Sequence, residues 1–196
     1  MDAERNNPKH QSILNAAKTL FWKHGFRRVT VEEICREAGV SKMTFYRHFG
    51  NKIDLAKAVY EMAAEEGVEQ FRQIMSDNAT TTRQKMEAIL RMKMEGTSDI
   101  SKEFLSDFYQ SPELGLSGFV EEISSLTWNE IVADFRTAQE NGWLRNDFKP
   151  EAFLLMSYKL LELITDERML QMYDSPQDLV MELSRLFTYG IVPYEK

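Results

Sequence analysis

The side chains best suited to chemistry stand together in one short segment, Ser41-Lys42-Met43-Thr44-Phe45-Tyr46-Arg47-His48. Lysine can donate hydrogen bonds to guanine acceptors, and a threonine hydroxyl or methyl group can meet several bases. Hydroxyl, imidazole and ammonium groups also donate to backbone phosphates, which fix the position of a protein on DNA. The segment therefore offers the chemistry of nucleic-acid recognition.

Two short helices are needed to position these side chains. Thr30 followed three residues later by Glu33 forms a capping box, which predicts a helix over 31–38. Gly39 ends that helix, and Ser41 caps a second helix over 42–49. The pattern predicts a helix-turn-helix over roughly residues 30–50, whose second helix lies in the major groove.

The N-terminal end of this second helix would face the base edges. Lys42 and Thr44 would then contact bases, whereas Tyr46, His48 and Lys52 would reach phosphates. Each residue type also has a simpler interpretation: a solvated lysine, a surface threonine, a half-buried tyrosine, a structural histidine. Two helices joined by Gly-Val also occur in proteins that never touch DNA.

The charge is distributed unevenly along a chain whose net charge is −7. Residues 1–60 carry 11 Lys+Arg against 6 Asp+Glu, a balance of +5, and residues 61–196 carry 13 against 25, a balance of −12. A basic N-terminal third on an acidic body would direct that end toward phosphates. A chance fluctuation along an ordinary surface would give the same pattern.

The positions of the prolines indicate the fold class. All five prolines, Pro8, Pro112, Pro150, Pro176 and Pro193, fall where a helix would begin or end. No segment sustains the alternation of a β-strand, so the sequence predicts an all-α fold. About nine helices are expected, near 8–24, 31–38, 42–49, 51–75, 82–95, 101–110, 117–140, 151–172 and 177–190.

Composition argues against several kinds of site. Cys35 is the single cysteine, which precludes a disulfide framework or a cysteine cluster, and three scattered histidines do not suggest zinc. We therefore predict neither a metal nor a cofactor. The polar start of the chain lacks a signal peptide, and no apolar run reaches the 18 residues of a membrane span. A cytoplasmic protein without a membrane partner is expected.

Many positions in fixed order over about residues 10–60 closely resemble the N-terminal domain of the TetR family of bacterial regulators. The matching segments are Ile13-Leu14-Asn15-Ala16-Ala17, Leu20-Phe21, His24-Gly25-Phe26, Val29-Thr30-Val31-Glu32-Glu33-Ile34, Ala38-Gly39-Val40-Ser41 and Thr44-Phe45-Tyr46-Arg47-His48-Phe49-Gly50-Asn51-Lys52. The resemblance implies an all-α homodimer with a DNA-binding domain over 1–52 and an effector-binding and dimerisation domain over 53–196. In most members an effector releases the protein from a double-stranded DNA operator.

The resemblance also implies which residues touch DNA. Carried over by position, they are Thr30, Ser41, Lys42, Met43, Thr44, Tyr46, His48 and Lys52. Cys35 stands where the family usually has alanine and is expected to be a small core residue, with a redox role as the alternative. Met43 stands where glycine, proline or alanine is common. It could touch a thymine methyl, so the operator sequence cannot be taken from relatives.

The last two predicted helices suggest a dimer. Residues 151–172 are apolar on more than one helical face, and 177–190 carry another apolar stripe. A helix that is apolar on two faces needs a partner beyond its own core, which favours a symmetric four-helix interface. The expected contacts are Leu160, Leu161, Ile164, Leu179, Leu183, Leu186 and Phe187.

The middle helices are rich in methionine and aromatic residues, which suit an adaptable cavity. A pocket for a bulky, largely apolar effector is one interpretation, and a filled core is the other. The candidate lining residues are Met86, Leu90, Met94, Phe104, Phe108, Phe119, Trp128 and Phe135. Tyr109, Trp128 and Tyr158 could supply polar contacts.

The sequence thus predicts a DNA-binding transcriptional regulator, a repressor released from its operator by an unidentified small, largely apolar effector. An enzyme is disfavoured, because Asp107, Glu121, Glu122 and Asp134 form no paired or metal-ligand spacing with histidine, and neither a nucleophile elbow nor a phosphate-binding glycine loop occurs. The remaining alternative is a helical small-molecule-binding or interaction protein without DNA binding.

Overall fold

The computed structural model describes residues 7–192, apart from the side chains of Asn129, Leu154 and Tyr158. These residues form ten α-helices and one 3-10 helix, and the described range contains no β-strand. The helices are α1 (Pro8–His24), α2 (Val31–Glu37), α3 (Lys42–His48), α4 (Lys52–Ser76), α5 (Thr82–Gly96), α6 (Lys102–Tyr109), α7 (Ser117–Glu140), α8 (Pro150–Thr165), α9 (Glu167–Leu170) and α10 (Pro176–Gly190), with the 3-10 helix at Pro112–Leu114. The all-α prediction is confirmed.

The prediction that prolines stand at helix ends is also confirmed for the four prolines among the described residues. Pro8, Pro150 and Pro176 each stand in the first turn of their helix, and Pro112 begins the 3-10 helix. A missing N–H costs nothing at these positions because the first turn has no intrahelical acceptor. Pro193 lies outside the described residues.

One predicted helix is wrong in its extent. The segment 151–172 is not continuous, because α8 ends at Thr165 and α9 begins at Glu167. Asp166 between them has an extended backbone, and its carboxylate accepts hydrogen bonds from the backbone N–H groups of Arg168 and Met169. An aspartate that caps a new helix in this way ends the previous one. Hydrophobic periodicity alone did not reveal the break.

The chain divides into two compact units. One comprises the chain up to Ala63 together with Asp99–Glu121, and the other comprises Ala64–Ser98 together with the chain from Glu122 onward. α4 begins at Lys52 and runs to Ser76 without interruption. The domain boundary predicted after residue 52 therefore falls at the start of a continuous helix, and it stays a prediction.

The core of the first unit is built on the apolar stripe of α1. Ile13, Ala17 and Phe21 have no exposed surface, and neither do Ile34 of α2 and Phe45 of α3. Burying a side chain of this size stabilises the folded state by about 1.5–3 kcal/mol. The three N-terminal helices are thus fixed to one another by shared burial.

The second unit contains a lysine with a structural role. Lys85 of α5 is fully buried, and its ammonium donates to the carbonyls of Ile74, Met75 and Asp77 at the end of α4. It also lies 4.1 Å from the centre of the Trp143 ring. The last carbonyls of a helix lack intrahelical donors, so a cation there satisfies them.

None of the described helices is long and apolar enough to cross a bilayer. Within the same residues, no three histidine, cysteine or acidic side chains are grouped so that they could hold a metal ion.

Candidate DNA-binding site

The entrance to α2 has the predicted capping box. The Thr30 hydroxyl oxygen accepts from the Glu33 backbone N–H at 3.2 Å, and the Thr30 N–H donates to Glu33 Oε2 at 2.8 Å. The Thr30 hydroxyl proton also goes to Glu33 Oε2, at 2.8 Å. Because a phosphate offers only acceptors, this committed proton is not available to it. The cap is confirmed, whereas the role of Thr30 in DNA contact stays a prediction.

The turn between α2 and α3 is closed by a left-handed glycine. Gly39 has φ +65, which a β-carbon would strain, and the next amide, of Val40, donates to the Cys35 carbonyl at 2.9 Å. Cys35 itself is buried, and burial raises the pKa of its thiol. This is the environment of a packing residue, since reactive cysteines have lowered pKa values.

The second helix of the motif, α3, is anchored by one side chain and exposed on the other side. Phe45 has no exposed surface and fixes the helix to the core, whereas Met43 is 75% exposed and Tyr46 is 56% exposed. Arg47 lies one turn after Met43 and is also exposed. Arg47 was not among the contacts predicted from the sequence, although its spacing from Met43 places it on the same face.

The N-terminus of α3 carries a pair of hydroxyl groups. Ser41 Oγ accepts from the Thr44 backbone N–H at 3.1 Å and lies 3.0 Å from Thr44 Oγ1. Only one of the two hydroxyl protons can lie between these oxygens. The other proton remains free to donate to a phosphate or a base acceptor.

Lys42 is paired with an acidic residue of α2. Its ammonium donates to Glu32 Oε1, and both side chains are more than half exposed. The hydrogen bond to Lys42 lowers the pKa of the Glu32 carboxyl, and the same bond raises the pKa of Lys42. Glu32 was not among the residues that the sequence predicted to be functional.

His48 at the end of α3 packs against ring systems. Its imidazole lies edge-on to His10 with ring centres 5.5 Å apart, and His10 stacks on Phe49 at 4.7 Å. His48 Nδ1 is buried and has no hydrogen-bond partner among the described residues. A contact to a phosphate would therefore use the other ring nitrogen.

Lys52 at the start of α4 points toward the chain rather than away from it. Its ammonium donates to the carbonyls of Phe26 at 2.7 Å and Val29 at 2.8 Å, and it lies 4.1 Å from the centre of the Phe26 ring. Desolvation lowers the pKa of this lysine. Two of its three protons hold the turn between α1 and α2, which leaves one for the predicted phosphate contact.

That same turn touches α6 through a glycine. Gly25 has φ +77, and a β-carbon there would lie 2.8 Å from Glu103 Cβ and 2.9 Å from Asp107 Oδ2. The Trp22 carbonyl one turn earlier accepts from the Ser101 N–H at 2.9 Å. Glycine is required both for the left-handed backbone and for the approach to α6.

Arg27 and Asp107 close this contact with charge. Asp107 Oδ2 accepts from the Arg27 backbone N–H, and its Oδ1 accepts from Arg27 Nε, both at 2.9 Å. The other end of the guanidinium donates to Ser111 and Glu113. Hydrogen bonds to Glu113 and Asp107 raise the pKa of Arg27. Asp107 is buried, so this carboxylate depends on Arg27 for compensation.

Comparison with known proteins identifies this architecture. Residues 13–59 match the sequence model described as bacterial regulatory proteins, tetR family. Over this segment the chain is similar to the DNA-binding domain of the TetR family. The regulator UidR of Escherichia coli K12 is 26% identical over 157 residues, which are 79% of this chain and 76% of UidR.

Two further proteins are similar to this chain. The HTH-type transcriptional activator FasR of Mycolicibacterium smegmatis is 29% identical over 105 residues, 52% of this chain and 48% of FasR. A crystal structure of regulatory protein TetR from Rhodobacter sphaeroides shares the fold, with a TM-score of 0.70 at 23% identity over 95% of this chain and 100% of that chain. By these similarities the chain is a DNA-binding transcriptional regulator, and the similar proteins are named as regulators and not as enzymes.

The residues predicted to line an effector pocket fall into both units. Phe104 and Phe108 are buried in the first unit and pack against Trp22, where Phe119 is half-buried beneath Lys57. In the second unit, Met86 and Phe135 are buried and Trp128 packs against the same cluster, while Leu90 is half-buried and Met94 is exposed. The buried members fill the cores of their own units, and the pocket itself stays a prediction.

The residues predicted for the dimer interface also differ in position. Leu179 and Leu183 are buried within the protomer, so neither offers surface to a partner, whereas Leu186 is 63% exposed. The others, Leu160, Leu161, Ile164 and Phe187, are partly buried. Four further large apolar side chains on the same two helices are exposed, namely Leu155, Met156, Leu163 and Tyr189.

A cavity of about 380 Å³ opens beside these side chains in the second unit. It is lined by Arg145, Phe148, Lys149, Ala152, Phe153, Met156, Leu186, Phe187, Gly190 and Ile191. The rings of Phe148, Phe153 and Phe187 contact one another in a row, with centres 6.0 and 5.4 Å apart. An apolar recess therefore adjoins the exposed residues of α8 and α10.

Lys93 is a polar residue that sequence reasoning missed. It lies four residues after Ile89, which packs against the core, and three after Leu90, so it shares the inward side of α5. Its side chain is exposed, yet desolvation lowers its pKa.

We predict that Asp107→Ala destabilises the protein more than Glu113→Ala. Asp107 is buried and serves the Arg27 backbone N–H as well as its side chain, so its loss leaves donors unsatisfied at a cost of about 1–3 kcal/mol. Glu113 is exposed, so water replaces its carboxylate as a partner of the guanidinium. Urea denaturation of both variants measures the difference. Equal losses of stability would contradict this account of the contact.

Proposed function

We propose that α3 reads the major groove of an operator through Met43, Lys42 and the Ser41–Thr44 hydroxyl pair. The observation that supports this is the division of the helix into a buried anchor, Phe45, and an exposed opposite side. Side chains that are exposed on an anchored helix are held in register for base edges without losing core contacts.

The remaining predicted contacts serve affinity in this proposal. Tyr46 and His48 lie farther along α3, and Lys52 has one proton left for a phosphate. Arg47 joins them because it is exposed on the same helix. Phosphate contacts set the position of the helix and carry the salt dependence, whereas base contacts choose the sequence. A regulator of this kind works where the chromosome lies, so a cytoplasmic location belongs to the proposal.

Selection of bound sequences from random DNA tests the role of Met43. Met43→Ala should change the selected base at one position of each half-site, and it should weaken binding to the wild-type operator about fivefold, since a lost base contact costs about 1 kcal/mol. Ile53→Ala removes a partly exposed apolar side chain of α4 just outside the motif and serves as the control. If both variants select the wild-type sequence, Met43 does not read the operator.

The second element of the proposal is a homodimer formed by α8 and α10. Five large apolar side chains of these helices are exposed in the protomer, beside an apolar cavity, and monomers rarely leave such a patch uncovered. A two-fold axis would make this patch complementary to itself. Two recognition helices could then reach half-sites roughly 34–36 Å apart or somewhat more.

We predict that Leu186→Glu dissociates the dimer without unfolding the protomer. The side chain is 63% exposed, so a charge there is tolerated in the free protomer but is costly in an apolar interface. Met172→Glu, at a residue that is 72% exposed and lies outside both helices, is the matched control. Sedimentation at micromolar concentration should show a monomer for Leu186→Glu only. A dimer for both variants would place the interface elsewhere.

The third element is control by a small, largely apolar effector that carries an acidic group. Lys93 supports the acidic group, because it lies on the same side of α5 as Leu90 and Met86, and its ammonium, whose pKa desolvation lowers, would gain from a neighbouring anion. Its neighbours on α5, Met86 and Leu90, are apolar.

Release of the selected operator by matched pairs of compounds tests the acidic group. Straight-chain carboxylic acids of about eight to twelve carbons should act at concentrations about tenfold or more below those of the corresponding alcohols, since a charge-assisted hydrogen bond contributes about 1.5–3 kcal/mol. Lys93→Met should abolish this difference. Arg91→Met, at an exposed residue of the same helix, should preserve it. A difference that survives in Lys93→Met would exclude Lys93 as the anchor.

The direction of control remains part of the proposal. We favour repression that the effector relieves, whereas the FasR relative is named an activator. The alternative function, a small-molecule-binding helical protein without DNA binding, predicts that selection from random DNA enriches no sequence.

A further inference from the structure

The ion pair between Glu32 and Lys42 joins the two helices of the motif. Glu32 is the second residue of α2, and Lys42 is the first residue of α3. Their side chains are 58% and 56% exposed, so the pair faces water and not the core. A carboxylate thus lies within hydrogen-bond distance of the cation at the leading end of the recognition helix.

The other acidic residues of α2 are placed differently. Glu33 binds the N–H and hydroxyl of Thr30 and is committed to the helix cap. Glu37 is exposed at the end of the helix. Glu32 differs from both because its carboxylate is held by a residue of the recognition helix.

Phosphates and base pairs make different demands on this pair. A phosphate offers only acceptors. Lys42 could bind it with another of its three protons, but the Glu32 carboxylate held beside that ammonium would then stand close to the like charge of the phosphate. Each base pair instead presents both acceptors and one amino group in the major groove, on cytosine or adenine. A donor and an acceptor held side by side match a base edge and mismatch a phosphate.

We propose that Glu32 and Lys42 act as one unit that reads a base-pair edge, with Lys42 donating to a base acceptor and Glu32 accepting from an amino group. Glu32 is then a specificity-determining residue, because its charge weakens the binding of Lys42 to phosphates of any sequence. An exposed ion pair is weak enough to open and rearrange on the DNA. The inference rests on the proposed role of α3 as the recognition helix.

The test compares Glu32→Gln with Glu37→Gln in the full-length protein, on the operator obtained by selection and on a duplex of scrambled sequence. Each substitution removes one negative charge from the same helix. Glu32→Gln should free Lys42 for one more phosphate contact. On the scrambled duplex, the slope of log binding constant against log salt concentration should then steepen by about 0.9 for each DNA-binding domain. Binding at 0.1 M salt should tighten about eightfold for each domain. The ratio of operator to scrambled affinity should fall at least as much.

Lys42→Gln supplies the background in which the effect must disappear. Adding Glu32→Gln to Lys42→Gln should change neither binding constant beyond the change that Glu37→Gln produces there. If Glu32→Gln and Glu37→Gln behave alike in the wild-type background, the inference is overturned while the proposed function stands. If Lys42→Gln binds both duplexes as the wild type does, the role of Lys42 in the proposed function fails together with the inference. Thermal denaturation checks that each variant is folded.

Discussion

The approach of the α1–α2 turn to α6 is the constraint on which the position of the DNA-facing residues depends. Gly25 leaves no room for a side chain between the turn and α6, and Asp107 then holds both the backbone and the guanidinium of Arg27. Lys52 of α4 holds the same turn by donating hydrogen bonds to the carbonyls of Phe26 and Val29. Because α2 begins directly after this turn, α6 and α4 together determine where the helix-turn-helix starts.

These contacts separate two kinds of residue that the family resemblance treats as one set of DNA contacts. Thr30 and Lys52 have most of their hydrogen-bonding capacity committed to the protein itself, whereas Met43, Tyr46 and Arg47 are open to a partner. A committed group can still touch DNA, but its substitution would disturb the fold as well. A loss of DNA binding after substitution of Thr30 or Lys52 therefore includes a disturbed fold, whereas a loss after substitution of Met43, Tyr46 or Arg47 reports a missing DNA contact.

The features that were predictable from the sequence are local ones. Caps at Thr30 and Ser41 and the left-handed Gly39 follow from neighbouring residues, so a short stretch of sequence is enough to place the motif. The Arg27–Asp107 contact joins residues 80 positions apart, and no local pattern announces it. The burial of Leu179 and Leu183 was missed for a related reason, since an apolar stripe does not reveal whether the protomer or a partner covers it.

The distribution of charge gives the specificity of this regulator a physical basis. Residues 61–196 carry a balance of −12, so the field of most of the chain opposes DNA of any sequence, and the proposed dimer would double that charge. The basic residues of the first 60 positions must overcome this repulsion at short range, and one of them, Lys42, is already neutralised by Glu32. Weak attraction to phosphates leaves a larger share of the binding free energy to base contacts. Discrimination between an operator and other DNA depends on that share.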